Sequence, residues 1–218
     1  YTSDVRINLD SSDNLIISGT IGLNSNHGSM RSLLGVSQIN SHPEGNDGSG
    51  CFVIKMYNHN RTIQWHEKIY AEISGGMYCK AVNTDLNGDI IVAGEFSGSF
   101  RTNNSFAPSF GDRDIFIKKL NNTGSVLWAR NFGGTSAEKL HDMEIDSNGK
   151  ISICGDTGSN SLSVGNTIIG SGVDFTYMVQ IENNSSYSSK IVSTGIGFER
   201  GGCACLLYTS PSPRDRSI

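Results

Sequence analysis

Short apolar or alternating runs bounded by turn residues recur along most of this chain, and apolar residues at helical spacing are scarce. Between residues 79 and 132 four such runs follow one another: CKAVNT, DIIVAGEF, DIFIKKL and SVLWARNF. Asn-Gly stands between the first two and Thr-Gly between the last two, and such turn signals between strand-like runs are typical of hairpins. The segment therefore predicts one four-stranded antiparallel sheet.

The same unit recurs on both sides of this segment. A hairpin motif of Asp, turn residues, an apolar run and Gly occurs without a gap at residues 10–19, 85–94 and 146–155. A second strand motif follows each copy, at residues 51–56, 115–120 and 176–181. Recurrence of one supersecondary pattern indicates an array of like units. We predict three blades, at about residues 4–70, 79–132 and 140–193.

Twelve strands follow from these motifs. They are predicted at 4–9, 15–20, 51–57 and 62–70, at 79–84, 89–96, 114–120 and 125–132, and at 140–145, 150–157, 175–181 and 187–193. The second strand of each unit is apolar on both faces, as expected when a sheet lies between two neighbouring sheets. A β-sandwich more often has one solvated face. The pattern favours an all-β fold, a β-propeller segment of four-stranded antiparallel blades that is incomplete at about three blades.

A family resemblance can be stated on these residues. The string DIFIKKLNNTGSVLWARNFGGTSAEKLHDMEID at 114–146, followed by SNGKISICGDT, resembles the bacterial-type β-propeller repeat often called SBBP. The match extends over most of residues 10–155. It departs at Asp13, where the hairpin Gly should be, and in the insertion at 21–50. The resemblance implies a propeller, commonly within a large secreted or surface protein, and carries over no catalytic residue because the motif is structural.

Composition and charge limit the possible partners. The chain has 218 residues with 26 glycines and 4 prolines, which suits short strands joined by tight turns. Its net charge of -4 and scattered basic residues argue against a nucleic-acid partner. It contains no apolar run of about 18 residues, so we expect no membrane insertion. Because the sequence starts directly in a strand-like pattern, we expect further blades of the same chain beyond it.

The end of the chain departs from the β pattern. From Cys205 the sequence reads CLLYTSPSPRD, which resembles the translated read-through of a sequencing-library adapter. We therefore assign residues 1–203 to the repeat segment and residues 204–218 to a non-native tail. The alternative is a natural Ser/Pro linker after the repeats.

The cysteines and the glycosylation sequons leave the compartment open. The five cysteines fit neither a zinc knuckle nor a dense disulfide framework. Cys154 takes the repeat position of Ser18 and Ala93, which predicts a small buried strand residue. Sequons stand at Asn60, Asn103, Asn121, Asn183 and Asn184. Since about four would arise by chance in such a composition, they do not establish secretion.

The remaining motifs favour structure over chemistry. Asp85 and Asp146 begin strings that resemble the start of a calcium loop, but the distal Glu is missing and Asn-Gly favours a hairpin. Trp128 follows Gly124 at a spacing one residue too long for a sialidase-type Asp box. We interpret Trp65 and Trp128 as filling the space between adjacent blades. No catalytic, metal or cofactor residue is predicted.

Strand direction places the loops. In an antiparallel blade the connections between its second and third strands emerge on the same face as those between blades. The long insertions at 21–50, 97–113 and 158–174 all fall there, whereas the short turns fall on the opposite face. Long loops are uncommon unless they are functional or disordered. The candidate binding residues on this face are His27, Asp47, Arg101, Asp112 and Arg113.

These observations favour a non-enzymatic module for binding or structural scaffolding, within a larger secreted or cell-surface protein, that takes a protein or glycan ligand. One alternative is a propeller enzyme of hydrolase or lyase type, with its active site in the long loops or in missing blades. An intracellular scaffold of the WD-repeat kind is disfavoured because Gly-His and Trp-Asp pairs do not recur.

Overall fold

The computed structural model describes residues 2–22, 49–71, 75–103, 105–170, 172 and 175–190. These residues form sixteen strands and no helix, so none of them belongs to a helix that could cross a membrane. Sheet one contains β1 (Thr2–Leu9), β2 (Leu15–Gly22), β3 (Ser49–Met56) and β4 (Ile63–Tyr70). Sheet two contains β5 (Met77–Thr84), β6 (Ile90–Phe96), β9 (Asp114–Leu120) and β10 (Val126–Phe132). Sheet three contains β11 (Glu138–Ile145), β12 (Ile151–Thr157), β15 (Phe175–Ile181) and β16 (Tyr187–Lys190).

The all-β prediction is confirmed. Each sheet pairs its four strands antiparallel in chain order, and the predicted boundaries differ from the observed ones by no more than two residues. The predicted end of the last strand, at 191–193, lies outside the described residues. Two further hairpins occupy insertions predicted only as loops: β7 (Ser99–Arg101) with β8 (Phe106–Pro108), and β13 (Leu162–Val164) with β14 (Thr167–Ile169).

Each sheet begins with a hairpin closed by an aspartate. The Oδ1 atoms of Asp10, Asp85 and Asp146 each accept two backbone N–H groups, from the residues two and four positions further on. This is the Asx-turn geometry that makes Asp a turn former. The three aspartates therefore stabilise the hairpin turns that the sequence favours.

Alternate residues of the central strands face opposite neighbours. In β6, Ile90 and Val92 lie in the apolar cluster between sheets one and two, whereas Ile91 and Ala93 lie in the cluster between sheets two and three. The strand β9 divides its side chains in the same way. Sheet two is thus covered on both faces, which explains why its second strand has no polar face.

Polar contacts repeat across the stacked sheets. Asn8 donates to the Oδ1 atom of Asn83 at 2.8 Å, and Asn83 in turn donates to the carbonyl of Met143 at 2.9 Å. Trp65 of sheet one donates to the carbonyl of Asn122, and a Cβ at Gly124 would lie 2.8 Å from its ring. Trp65 therefore fills the space between sheets one and two, as predicted.

Buried lysines fix the sheets at the hairpin end. Lys55 pairs with Asp10 at 2.8 Å, and Lys119 pairs with Asp85 at 2.8 Å, in both cases with nearly buried side chains. Lys119 also donates to the Oδ1 atom of Asn183 in sheet three at 2.7 Å. The equivalent position of sheet three carries Gln180, which donates to Ser152.

A disulfide joins Cys51 of β3 to Cys79 of β5 and so links sheets one and two covalently. Sequence spacing did not predict this pair, because the two cysteines are 28 residues apart and meet only through sheet stacking. Cys154 is buried as predicted, and it is also disulfide-bonded.

We predict that Asp13→Gly stabilises the protein. Asp13 has a φ of 59° at the turn position where the other two hairpins carry Gly88 and Gly149, with φ of 77° and 78°. Removing this strain should raise the free energy of unfolding by about 0.5–1 kcal/mol, measured by urea denaturation. The control is Gly88→Ala, where a Cβ has space and only the backbone is strained, and it should lower stability. A decrease in stability for Asp13→Gly would contradict this explanation.

Candidate functional site on the long-loop face

The two extra hairpins lie on one face together with the connections between sheets. Ala71, just after β4, forms a β-bridge with Phe100 of β7, and Gly133, just after β10, forms one with Ser163 of β13. Each hairpin therefore reaches back from its own sheet to the end of the preceding sheet. We call this the long-loop face and define it by the two hairpins and residues 71, 75–76 and 133–137.

These insertions contribute to the core as well as to the surface. The Phe100 side chain is fully buried, with its ring centroid 4.8 Å from that of Phe96 and 5.7 Å from that of Phe116. Leu162, Val164 and Ile169 of the other hairpin are buried in the cluster between sheets two and three. Sequence reasoning assigned both insertions to loops and missed the Gly-Asn turn signal between Leu162–Val164 and Thr167–Ile169.

Arg101 is an exposed cation held against an aromatic ring. Its guanidinium carbon lies 5.8 Å from the centroid of the Tyr70 ring, and it donates to the Tyr70 hydroxyl at 2.5 Å. Across the hairpin Arg101 pairs in register with Phe106, which is also exposed. Within the described residues no carboxylate lies at ion-pair distance from Arg101. We call Tyr70, Arg101 and Phe106 the Arg101 strip.

The other predicted site residues are arranged differently. Arg113 stacks over Tyr78 at 5.0 Å and pairs with the buried Glu95 at 3.2 Å, so its charge is neutralised within the fold. Asp112 is exposed beside it. His27 and Asp47 lie outside the described residues. Of the two predicted arginines, Arg113 is paired with a carboxylate, whereas Arg101 has no carboxylate at ion-pair distance in the part of the chain that the structure describes.

Two carboxyl groups meet below this face, between sheets two and three. Asp114, at the start of β9, and Glu138, at the start of β11, are both fully buried, and Glu138 lies close enough to act on the pKa of Asp114. Among the described residues the Oδ1 atom of Asp114 has no hydrogen-bond partner. Asp114 accepts the backbone N–H groups of Phe110 and Gly111. Burial, together with Glu138, raises the pKa of Asp114 to about 7. Asp114 therefore keeps its proton in solutions below about pH 7.

The surroundings enclose this acidic pair. Glu138 accepts the N–H of Gly134 at 2.9 Å and the hydroxyls of Thr157 and Ser159 at 2.8 and 2.6 Å. A Cβ at Gly133 would lie 1.8 Å from the Oδ1 atom of Asp114, so this position requires glycine. Sequence reasoning missed the pair because only the stacking of two sheets brings Asp114 and Glu138 together.

Comparison with protein-family models and with curated proteins finds no match to this chain. The three sheets are compatible with repeat blades, and none of them closes on itself. The structure therefore shows the fold class, which is all-β with stacked four-stranded antiparallel sheets.

The acidic pair predicts a pH-dependent stability with a definite sign. Asp114 keeps its proton up to about pH 7 when folded but ionises near its ordinary pKa of 3.8 when unfolded. Between these values the folded protein binds more protons, so its free energy of unfolding should fall as the pH rises, by at most about 1.4 kcal/mol per pH unit, and then level off above about pH 7.

Urea unfolding of the parent and of Asp114→Asn at a series of pH values measures this effect. Asparagine keeps the shape of the side chain and can donate to Glu138 without titrating, so the difference between the two profiles isolates Asp114. We expect the free energy of unfolding of the parent to fall relative to that of Asp114→Asn as the pH rises from about 4 to about 7. Parallel profiles would show that Asp114 is ionised in the folded protein.

Proposed function

We propose that the chain is a non-enzymatic β-propeller repeat module, part of a larger secreted or cell-surface protein, which binds its partner through the long-loop face. The main support for the proposal is that the neighbouring sheet buries the same position of the repeat at both sheet junctions. The apolar position that is covered at both junctions is uncovered on β1, where Ile7 is exposed, and Val5 and Leu9 of the same strand are exposed as well.

The register of the repeat makes this comparison direct. Ile7, Val82 and Met143 each stand three residues before the hairpin aspartate of their sheet. Val82 is 7% exposed and Met143 is 2% exposed, whereas Ile7 is 66% exposed. A further four-stranded unit packed against β1 would cover Ile7 as the existing sheets cover its two equivalents. This supports a longer array of the propeller type.

The binding role is supported by the Arg101 strip. An exposed guanidinium beside aromatic rings suits a ligand that offers a carboxylate next to an apolar surface. The arginine can bind the carboxylate in a bidentate manner, and an aromatic ring can pack against the apolar surface. Since Arg101 is already ordered by Tyr70, less side-chain entropy is lost on binding. We place the ligand contact at Tyr70, Arg101 and Phe106.

The disulfide between Cys51 and Cys79 supports the proposed location, because such bonds persist mainly in oxidising compartments. For the enzymatic alternative, the strongest candidate acid and base are Asp114 and Glu138. Both are fully buried; Glu138 accepts a backbone N–H and two hydroxyls, and the Oδ2 atom of Asp114 accepts backbone N–H groups. Their complete burial disfavours proton exchange with a substrate.

The ligand contact is tested by Arg101→Gln. A panel of immobilised acidic and neutral glycans and extracellular proteins is first screened with the parent chain. For an acidic ligand found in this way, we expect Arg101→Gln to weaken binding about tenfold or more, equivalent to about 1.4 kcal/mol. The matched control is Arg130→Gln, another exposed arginine, which contacts Ser185 in a turn on the opposite face. Equal losses for the two variants would reject the Arg101 strip as the contact.

The uncovered β1 surface is tested by self-association. We expect the parent chain to associate in sedimentation velocity experiments, because its exposed apolar strand face lacks the unit that would cover it. Ile7→Lys should reduce this association. Ile168→Lys is the matched control, because Ile168 is 73% exposed on the β14 hairpin and has no repeat equivalent at a sheet junction. A monomeric parent, or equal effects of the two variants, would contradict the proposal that β1 is a junction surface.

A further inference from the structure

Three of the glycosylation sequons stand in the turns between the third and fourth strands, one in each unit, although Asn60, Asn121 and Asn184 lie at different distances from the strand before them. In each turn the asparagine Oδ1 accepts both the backbone N–H and the hydroxyl of the Thr or Ser two residues on. The two distances are 3.0 and 2.7 Å from Asn60, 3.0 and 2.8 Å from Asn121, and 3.0 and 2.6 Å from Asn184. Each of the three asparagines is therefore held through its Oδ1 atom, and Asn121 Oδ1 also accepts the backbone N–H of Ser125 at 2.8 Å.

The other atom of each amide is left to solvent. An N-linked sugar is attached through Nδ2, and among the described residues no hydrogen bond uses the Nδ2 atom of Asn60, Asn121 or Asn184. Asn60 and Asn184 are exposed, and Asn121 is partly exposed. A glycan on any of these nitrogens would leave the turn hydrogen bonds in place, because Oδ1 keeps its acceptor role.

Asn183 lies in an overlapping sequon and is also exposed, but its side chain contacts another sheet. Its Oδ1 accepts the Lys119 ammonium at 2.7 Å, and that lysine is buried and paired with Asp85. Its Nδ2 faces Gly149, where a Cβ would lie only 3.1 Å away. A sugar on Asn183 would push this amide away from Lys119 and leave a buried cation with one partner fewer, which is costly.

We propose that Asn60, Asn121 and Asn184 are N-glycosylation sites and that Asn183 is not one, so that the short-turn face of the array carries one glycan per unit. The proposal rests on the secreted location proposed above. In the reaction the asparagine Nδ2 displaces the diphosphate from the anomeric carbon of a lipid-linked oligosaccharide. One C–N bond forms, one C–O bond breaks, Nδ2 loses a proton, and the lipid diphosphate leaves.

Turns prefer Asn, Ser and Thr, and this preference by itself would place a sequon in these turns. The difference between Asn183 and Asn184 is therefore the stronger evidence for the proposal. Both asparagines precede a serine by two positions. They differ in the hydrogen bonds of their side chains, because Asn183 accepts one from Lys119 and Asn184 accepts two from Ser186. Asn103 heads a further sequon on the long-loop face, where the Ser105 hydroxyl contacts Thr102, and it lies outside the proposal.

The test is site-by-site glycan occupancy in the secreted chain. The full chain is expressed behind a cleavable signal peptide in a eukaryotic host, and the folded product is treated with peptide N-glycosidase F in heavy-oxygen water. This treatment converts each glycosylated asparagine to a labelled aspartate, which peptide mass spectrometry then locates. We expect label at residues 60, 121 and 184 and none at 183. Label at 183, or unlabelled asparagine at the three turn positions, would overturn the proposal.

Two sets of variants sharpen the result. Asn60→Asp, Asn121→Asp and Asn184→Asp keep the Oδ1 acceptor but remove Nδ2, so each should lose one glycan on a gel while secretion is retained. Asn184→Gln leaves the Asn183 sequon intact, and we expect no glycan to appear there in the secreted product; its appearance would count against the proposal. The signal peptide directs the chain into the secretory pathway whatever its natural location. An absence of glycans at the three sites would therefore reject the glycosylation proposal, whereas ligand binding by Arg101 is tested separately by Arg101→Gln.

Discussion

Apolar surface on both sides of the central strands is the constraint on which the rest of this structure depends. Ile90 and Val92 face one neighbouring sheet, and Ile91 and Ala93 face the other. Each large aliphatic side chain buried in this way contributes roughly 1.5–3 kcal/mol, provided that a sheet covers it. A single four-stranded unit cannot supply that cover, so stacking is required before any one sheet is stable.

Polar contacts then decide how the sheets stack. Lys55 and Lys119 are buried, and a buried ion pair contributes little net stability unless its remaining donors are satisfied. Lys119 satisfies them by reaching Asn183 of the next sheet, which ties the hairpin of one unit to the turn of another. Since apolar packing alone tolerates sliding, these contacts and the Asn8 to Asn83 hydrogen bond fix one register. Sheet three carries Gln180 instead of the lysine, and Asp146 is less buried than its equivalents.

The strands could be read from the sequence because their signals are local. A hairpin needs only a turn and its flanking apolar residues, and the motifs at Asp10, Asp85 and Asp146 each contain all of these within about ten residues. The disulfide between Cys51 and Cys79 and the acidic pair of Asp114 and Glu138 could not be read in this way, since sheet stacking creates them. The same limit applies to Arg101 and Arg113. Both were predicted as binding residues, but their partners, Tyr70 for one and Glu95 for the other, belong to different strands and give the two arginines different roles.

The hairpins that reach back to the preceding sheet also set an order of assembly. Phe100 lies more than a full unit after β1, yet it bridges to Ala71 and packs beside the end of sheet one. During synthesis from the N-terminus, sheet one must wait for residues of sheet two before this contact can form, and sheet two must wait for Ser163. In folding intermediates of such an array, the last sheet formed therefore stays incomplete until the hairpin of the next unit contacts it. Each new unit completes the sheet before it and is itself incomplete.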